Sequence, residues 1–260
     1  MRRMFALIVS AALLFALCAC GTQEELSVTS SPAGSEEPEA SPPQSPAPFE
    51  EADALVAVGA LTGSDALRVE GKRTYVTEEF YVISPEAPAE GEPSAYLVTL
   101  DGEKIFARFD SANMEGITVS ALYEVAPVDV MEELGPALDA FGWFQFGISE
   151  GQDIRTLDAL RERLSSIFSQ EIVDTLMAQN AFLETENGLE PVGGRGSDAT
   201  LGNAIIEMTR STDTERTYQV TAEYLDTSGA YQVEESRVFT YVQTLQDGTW
   251  LFTTFPELYY

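Results

Sequence analysis

The chain of 260 residues sets 14 Lys and Arg against 43 Asp and Glu, a formal charge of −29, and contains no His. Nucleic-acid binding needs clustered cations that displace counterions from phosphate, so this balance argues against a nucleic-acid partner. Without histidine the chain lacks the usual general base at neutral pH and the commonest zinc ligand, and most hydrolase and metalloenzyme readings fail there.

Met1-Arg2-Arg3 opens the chain with positive charge, and residues 4–17 are an uncharged run whose one polar side chain is Ser10. That run of 14 residues is shorter than the about 20 needed to cross a hydrocarbon core as a helix, and reads as the apolar region of a secretory signal. Leu17-Cys18-Ala19-Cys20 closes it. This box resembles the cleavage site of bacterial lipoproteins. The resemblance implies a signal peptide over residues 1–19, cleavage before Cys20, and lipid attachment to the Cys20 thiol; the alternative is an ordinary secretory signal that leaves Cys20 free. Both cysteines lie in the box, so the cleaved protein could form no internal disulfide. The expected location is the extracytoplasmic face of the cell membrane, held by lipid, with an acidic body that anionic headgroups repel.

Residues 20–50 change to Ser, Pro, Glu, Ala and Thr, including Ser41-Pro42-Pro43-Gln44-Ser45-Pro46. Such a segment buries too little apolar surface to offset its ordering entropy, so a disordered tether is expected. The 28 residues 21–48 within it would reach from roughly 30 Å as a flexible coil to about 85 Å fully extended.

Residues 51–126 read as a β-rich domain, a small sheet or partly open barrel. Residues 73–83 are β-branched and aromatic, and Glu70-Gly71-Lys72 offers a turn from the strand before them. Asp101-Gly102, between residues 94–100 and 103–109, has the composition of a type I′ hairpin. Residues 117–125 make a further strand.

Residues 127–260 read as a second, α+β domain. Val130, Leu134, Leu138, Phe141, Phe144 and Ile148 recur at three and four, with Asp129 as N-cap. Thr156 caps a second helix with Leu157, Leu160, Leu164 and Ile167 on its face, and a third is expected over 169–181. A short hairpin turns at Asn187-Gly188, and residues 201–208, 217–225, 231–245 and 249–255 read as four longer strands. Helices followed by an antiparallel meander imply helices packed on one face of a curved sheet.

This order of elements resembles the cystatin-like and NTF2-like superfamily. Residues 182–198, followed by Trp250-Leu251-Phe252-Thr253-Thr254-Phe255, are similar to clostridial-type secreted lipoproteins, some of them grouped with inhibitors of cell-wall DL-endopeptidases. The resemblance implies a ligand in the cone between helices and sheet, lined by Trp143, Phe144, Tyr218, Tyr224, Trp250 and Phe252, with Glu207, Arg210 or Glu223 as polar groups. The same residues also read as plain core and solvated strand face. Gly193-Gly194-Arg195-Gly196-Ser197-Asp198 reads either as an anion-binding loop with Arg195 as its charged fork or as a loop entering the next strand. Acidic pairs such as Glu78-Glu79 lack the spacing of a calcium loop, and neither a metal nor a cofactor is expected. The chain is therefore read as a non-catalytic module that binds a partner in the cell envelope, possible targets including a peptidoglycan hydrolase. The alternative is a small-molecule binder or enzyme using the cone.

Overall fold

A computed structural model describes residues 48–112, 116–125, 129–149, 151–193, 200–226 and 231–258. Cys20, the expected tether as far as residue 47, and Arg195 lie outside them. The fold is α+β. Helix α1 (Glu51–Thr62) precedes strands β1 (Leu67–Tyr75), β2 (Glu78–Pro85), β3 (Ala95–Thr99), β4 (Ile105–Ala112) and β5 (Thr118–Glu124). Helices α2 (Val130–Phe146), α3 (Leu157–Ser165) and α4 (Gln170–Met177) follow, then β6 (Phe182–Thr185) and β7 (Gly188–Pro191). The last strands are β8 (Thr200–Ser211), β9 (Glu215–Leu225), β10 (Val233–Gln246) and β11 (Thr249–Thr254). Nine strands form one sheet in the order β1-β2-β3-β4-β5-β8-β9-β10-β11, and β6 pairs with β7 apart from it. Strands of the β-rich region and of the later meander are thus hydrogen-bonded into a single sheet, within one compact unit over 47–260.

Register decides which face each residue takes. Tyr81 opposes Val98, Tyr96 opposes Ala107, Ala107 opposes Tyr123, and Tyr123 runs beside Ile206, so these share a face. There α1 buries Ala54 and Val58 against Tyr81, Ile83 and Val98. On the same face α2, α3 and α4 bury Leu134, Leu160, Leu164 and Leu176 in one core with Ile206, Tyr218 and Phe252. Among the described residues no helix covers the other face, yet Phe80, Val82, Leu97, Phe106, Leu122 and Ile205 are almost fully enclosed there. Coiling of the sheet supplies the cover. Arg108 of β4 donates to the Tyr75 hydroxyl at the end of β1, across what would be about 14 Å in a flat sheet. Tyr75 and Val76 pack on this second cluster.

The parallel pair β5 and β8 joins the two halves of the sheet. Its ladder is short: Ala121, Leu122 and Tyr123 beside Ala204, Ile205 and Ile206. Side chains extend it at both ends, where Ser120 N–H donates to Asn203 Oδ1 at 2.9 Å and Met208 N–H donates to Glu124 Oε2 at 2.8 Å. Backbone donors that the ladder cannot reach are satisfied in this way.

Several local expectations change. Residues 51–62 are helical where the composition of the region predicts strand. Ala54 and Val58 lie four apart on one helical face, the Asp53 carboxylate accepts from Glu50 N–H at 2.9 Å, and Gly63 at φ 69° ends the helix. The turn expected at Glu70-Gly71-Lys72 is a bulge inside β1, and the chain reverses later, at Val76-Thr77. Val76 takes φ 55°, a conformation that a β-branched residue disfavours, so nothing in the composition announces this turn. The hairpin at Asp101-Gly102 forms, but only Gly102 has positive φ, so the turn is not type I′. Instead Gly102 N–H donates to Thr99 O, and the Phe49 ring lies where a Cβ on Gly102 would be, 2.4 Å from that position. The later hairpin turns on Glu186-Asn187, one residue early, with Gly188 opening β7. Asp247-Gly248 supplies the type I′ turn, with φ 48° and 84°.

Helix starts follow the sequence closely. Asp129 Oδ1 accepts from Met131 N at 3.0 Å and from Glu132 N at 3.3 Å, and Thr156 Oγ1 accepts from Ala159 N at 3.1 Å. Ile148, expected on the face of the first of these helices, lies beyond its end at Phe146.

Candidate functional site

Between α2 and the strands β5 and β8 the packing leaves a cleft of about 310 Å³. Small residues create the space: Gly135 and Gly142 from α2, Ala121 and Ala204 from the strands. Tyr123, Leu138, Trp143, Phe146 and Leu258 wall it. Neither glycine is required by its backbone, since neither has positive φ. A Cβ on Gly135 would meet Met131 Cγ at 3.6 Å and one on Gly142 would meet Phe146 Cδ2 at 3.7 Å, both ordinary contacts. Glycine inside a helix costs about 0.5–1 kcal/mol relative to alanine. α2 accepts that cost twice, at the positions where a methyl would narrow the cleft.

One polar group sits at the rim. Trp143 is 2 % exposed, and its indole Nε1 donates to Asp139 Oδ2 at 3.2 Å and to Ser149 Oγ at 3.1 Å. The Ser149 hydroxyl in turn donates to Asp139 Oδ1 at 2.6 Å. Asp139 and Trp143 lie one helical turn apart, which brings the carboxylate over the indole edge. The Ser149 hydroxyl donates to Asp139 and the indole N–H is shared between Asp139 and Ser149, and the carboxylate oxygens keep further lone pairs for a ligand. Among the described lining residues Asp139 is the one that carries a formal charge.

Of the residues read from sequence as a shared cavity lining, the structure brings only Trp143 to this cleft. Tyr218 is buried in an aromatic core with Phe252, and its hydroxyl donates to Gln243 Oε1 at 3.0 Å. Burial first, and then the nearby Glu133 charge, raise the Tyr218 hydroxyl above the ordinary tyrosine range. Tyr224 lies under the Arg237 guanidinium, and its hydroxyl donates to the Leu258 carbonyl, so it fixes one wall of the cleft from behind. Trp250 is covered by the Arg216 guanidinium at 4.3 Å, and Arg216 pairs with Glu133 at 3.0 Å. Phe144 packs edge-on against Phe182, and Arg210 pairs with Glu215 at the surface. Asp139, Ser149 and the two glycines were not singled out by the sequence reading. The available signal was two glycines seven apart in a helix, flanking Leu138-Asp139 on the same face.

Glu207 and Glu223 occupy the coiled, opposite face. Glu207 pairs with Lys104 at 2.5 Å. Burial alone would lower the Lys104 ammonium, but the hydrogen bond it donates to Glu207 and the charges of Glu207, Glu124 and Glu78 together outweigh burial, so the group is raised. Glu124, 3 % exposed, lies near this pair, and burial pushes its carboxyl up against the Met208 N–H and the Lys104 charge. Glu223 accepts from Asn203 Nδ2 at 3.2 Å. Next along the face, Asp110 receives Arg108 Nε at 2.9 Å, the second Arg108 nitrogen at 2.8 Å and the Ser120 hydroxyl at 2.7 Å. These side chains form a polar stripe across the sheet that ties strands together.

A second cleft, of about 470 Å³, lies beside the end of α1 and the β2–β3 loop, lined by Ala66, Leu67, Pro85, Tyr96 and the carboxylates Glu86 and Glu92. Burial, then the Glu92 and Asp129 charges, raise the Tyr96 hydroxyl. Among the described residues no three acidic or thiol side chains converge as metal ligands, and no helix is long and apolar enough to cross a membrane. No protein-family model matches the chain, and no curated protein matches it significantly.

Proposed function

We propose that the protein is a membrane-anchored extracytoplasmic lipoprotein acting as a non-catalytic binding module of the cell envelope, and that it recognises its partner through the cleft under α2. The partner on this reading is a wall protein such as a peptidoglycan hydrolase, which the module regulates or inhibits. The observation that carries the reading is the open cleft kept by Gly135 and Gly142, together with an arrangement at its rim that offers an acceptor and no activated nucleophile. Ser149 donates to a carboxylate that is itself engaged with Trp143, an orienting contact more than an activating one.

We further read α2 through β11 as a cystatin-like or NTF2-like unit. The support is its order of elements: three helices, a short separate hairpin, then the antiparallel meander β8 to β11. The alternative reading, a small-molecule binder or enzyme, draws on the same cleft, whose volume suits a compact ligand. The space between helices and strands β9 to β11 supports it less, because Phe141, Phe168, Tyr218, Tyr241, Phe252 and Phe255 fill it.

Adding the purified full chain to a wall-hydrolysis assay is expected to slow a susceptible hydrolase. Unchanged rates across several hydrolases would remove the regulatory role. Cys20→Ser is expected to leave the chain folded and either to release it from the membrane fraction or to leave its signal peptide uncleaved; a cleaved chain still held in the membrane fraction would contradict the lipid anchor.

A further inference from the structure

We propose that the cleft under α2 takes a basic side chain, lysine or arginine, presented by a partner polypeptide; this rests on the reading of that cleft as the recognition site. Four observations converge. The lining is largely apolar and aromatic, with Tyr123, Trp143 and Phe146 among its walls. Its formal charge among the described residues is the single Asp139 carboxylate at the rim. The indole and hydroxyl donors beside that carboxylate already point at it, so what is offered outward is acceptor capacity. The surrounding protein is strongly acidic, with 43 acidic against 14 basic residues, which draws cationic segments toward it.

A lysine or arginine fits this pattern in both of its parts. Its aliphatic stem buries along Leu138 and the aromatic walls, and its charged head stays at the mouth. There the head meets Asp139 and the electron-rich faces of the aromatic rings. An acidic side chain would face Asp139 with like charge. An apolar side chain would fill the cleft but leave the carboxylate with nothing gained. The volume, about 310 Å³, admits one such side chain and excludes a folded element.

The chain has two tryptophans, Trp143 and Trp250. In the full chain carrying Trp250→Phe, emission therefore reports Trp143 in the cleft alone. Capped five-residue peptides that differ only at a central Lys, Arg, norleucine or Glu are titrated against it. A saturable change with Lys and Arg is expected, at least tenfold weaker with norleucine and absent with Glu. Asp139→Asn, at an exposed position, is expected to weaken the Lys peptide about tenfold, and Gly142→Ala to weaken every peptide while the protein stays folded. Norleucine binding as tightly as Lys, preference for Glu, no saturable change with any peptide, or full affinity in Asp139→Asn would each overturn the proposal. Lys binding with no effect on any wall hydrolase would keep this site and remove only the envelope role; hydrolase inhibition that Gly142→Ala abolishes while no peptide binds would do the reverse.

Discussion

Asp110 and Glu124 sit on the same coiled face and respond to pH in opposite directions. For Asp110 burial works to raise the carboxyl, and the bonds from Arg108, Ser120 and Ser94 overcome it, bringing it to about 2. A depressed acid contributes stability that is complete above its unfolded value, near 3.8, and is lost as pH falls toward 2. Allowing for solvent screening of a partly exposed group, the contribution is about 1 kcal/mol. Asp110→Asn should thus lower the urea midpoint at pH 7, and the gap from the native chain should close by pH 2. Glu124 is raised by burial, so its contribution is present below 4.5 and is lost as pH rises through the raised value. Glu124→Gln keeps an acceptor for Met208 N–H. Its urea midpoint is expected to match or exceed the native one at pH 7 and to lose that advantage near pH 4. Glu124→Ala, which orphans a buried backbone donor, should cost about 1–3 kcal/mol at either pH. None of these pairings was legible in sequence. Arg108 and Asp110 are two apart on a strand and hence on one face, but Ser120, Asn203 and Glu124 join only through register.

For α2 the sequence reading found the N-cap and the buried positions Val130, Leu134 and Phe144. It had no means to rank Gly135 and Gly142, because glycine in a helix signals either a close approach or a hollow, and only packing distinguishes them. The Cβ geometry rules out a tight approach, and the cleft that both glycines line is the hollow. Gly135→Ala and Gly142→Ala are each expected to stabilise the protein by about 0.5–1 kcal/mol, seen as a higher Tm. Destabilisation by either would mean that the helix needs the close approach after all. The contrast is Gly102→Ala, which drives a Cβ into the Phe49 ring at a positive φ and should lower Tm. Strand pairs announced by turn chemistry were read well, as at Asp101-Gly102, where the hairpin forms although its turn type differs. The turn at Val76-Thr77 was not, since propensity there favours an unbroken strand and tertiary packing of Tyr75 and Val76 on the second core overrides it.

Across the whole molecule, composition and periodicity conveyed the α+β class and the order of most elements. They could not convey that β5 pairs with β8, because that ladder joins residues 83 and 84 apart at its stitched ends and has no local signature. The pairing makes one sheet of both regions, so urea unfolding followed by tryptophan emission, which reports α2 and β11, should coincide with hydrogen exchange in β2 and β3. Two separated transitions would show that the seam is not cooperative. The same span has a consequence for the order in which the chain acquires its structure. Every other neighbour in the sheet comes from an adjacent strand in sequence, whereas bringing β8 to β5 closes a loop whose entropy costs roughly 4 kcal/mol. During synthesis β1 to β5 can therefore assemble while β5 still presents a bare edge, and that edge waits for the helices and the hairpin to emerge before its partner exists. A second copy emerging alongside could offer its own β8 first, which makes the open side of β5 the point at which this protein is most exposed to exchange of strands between chains.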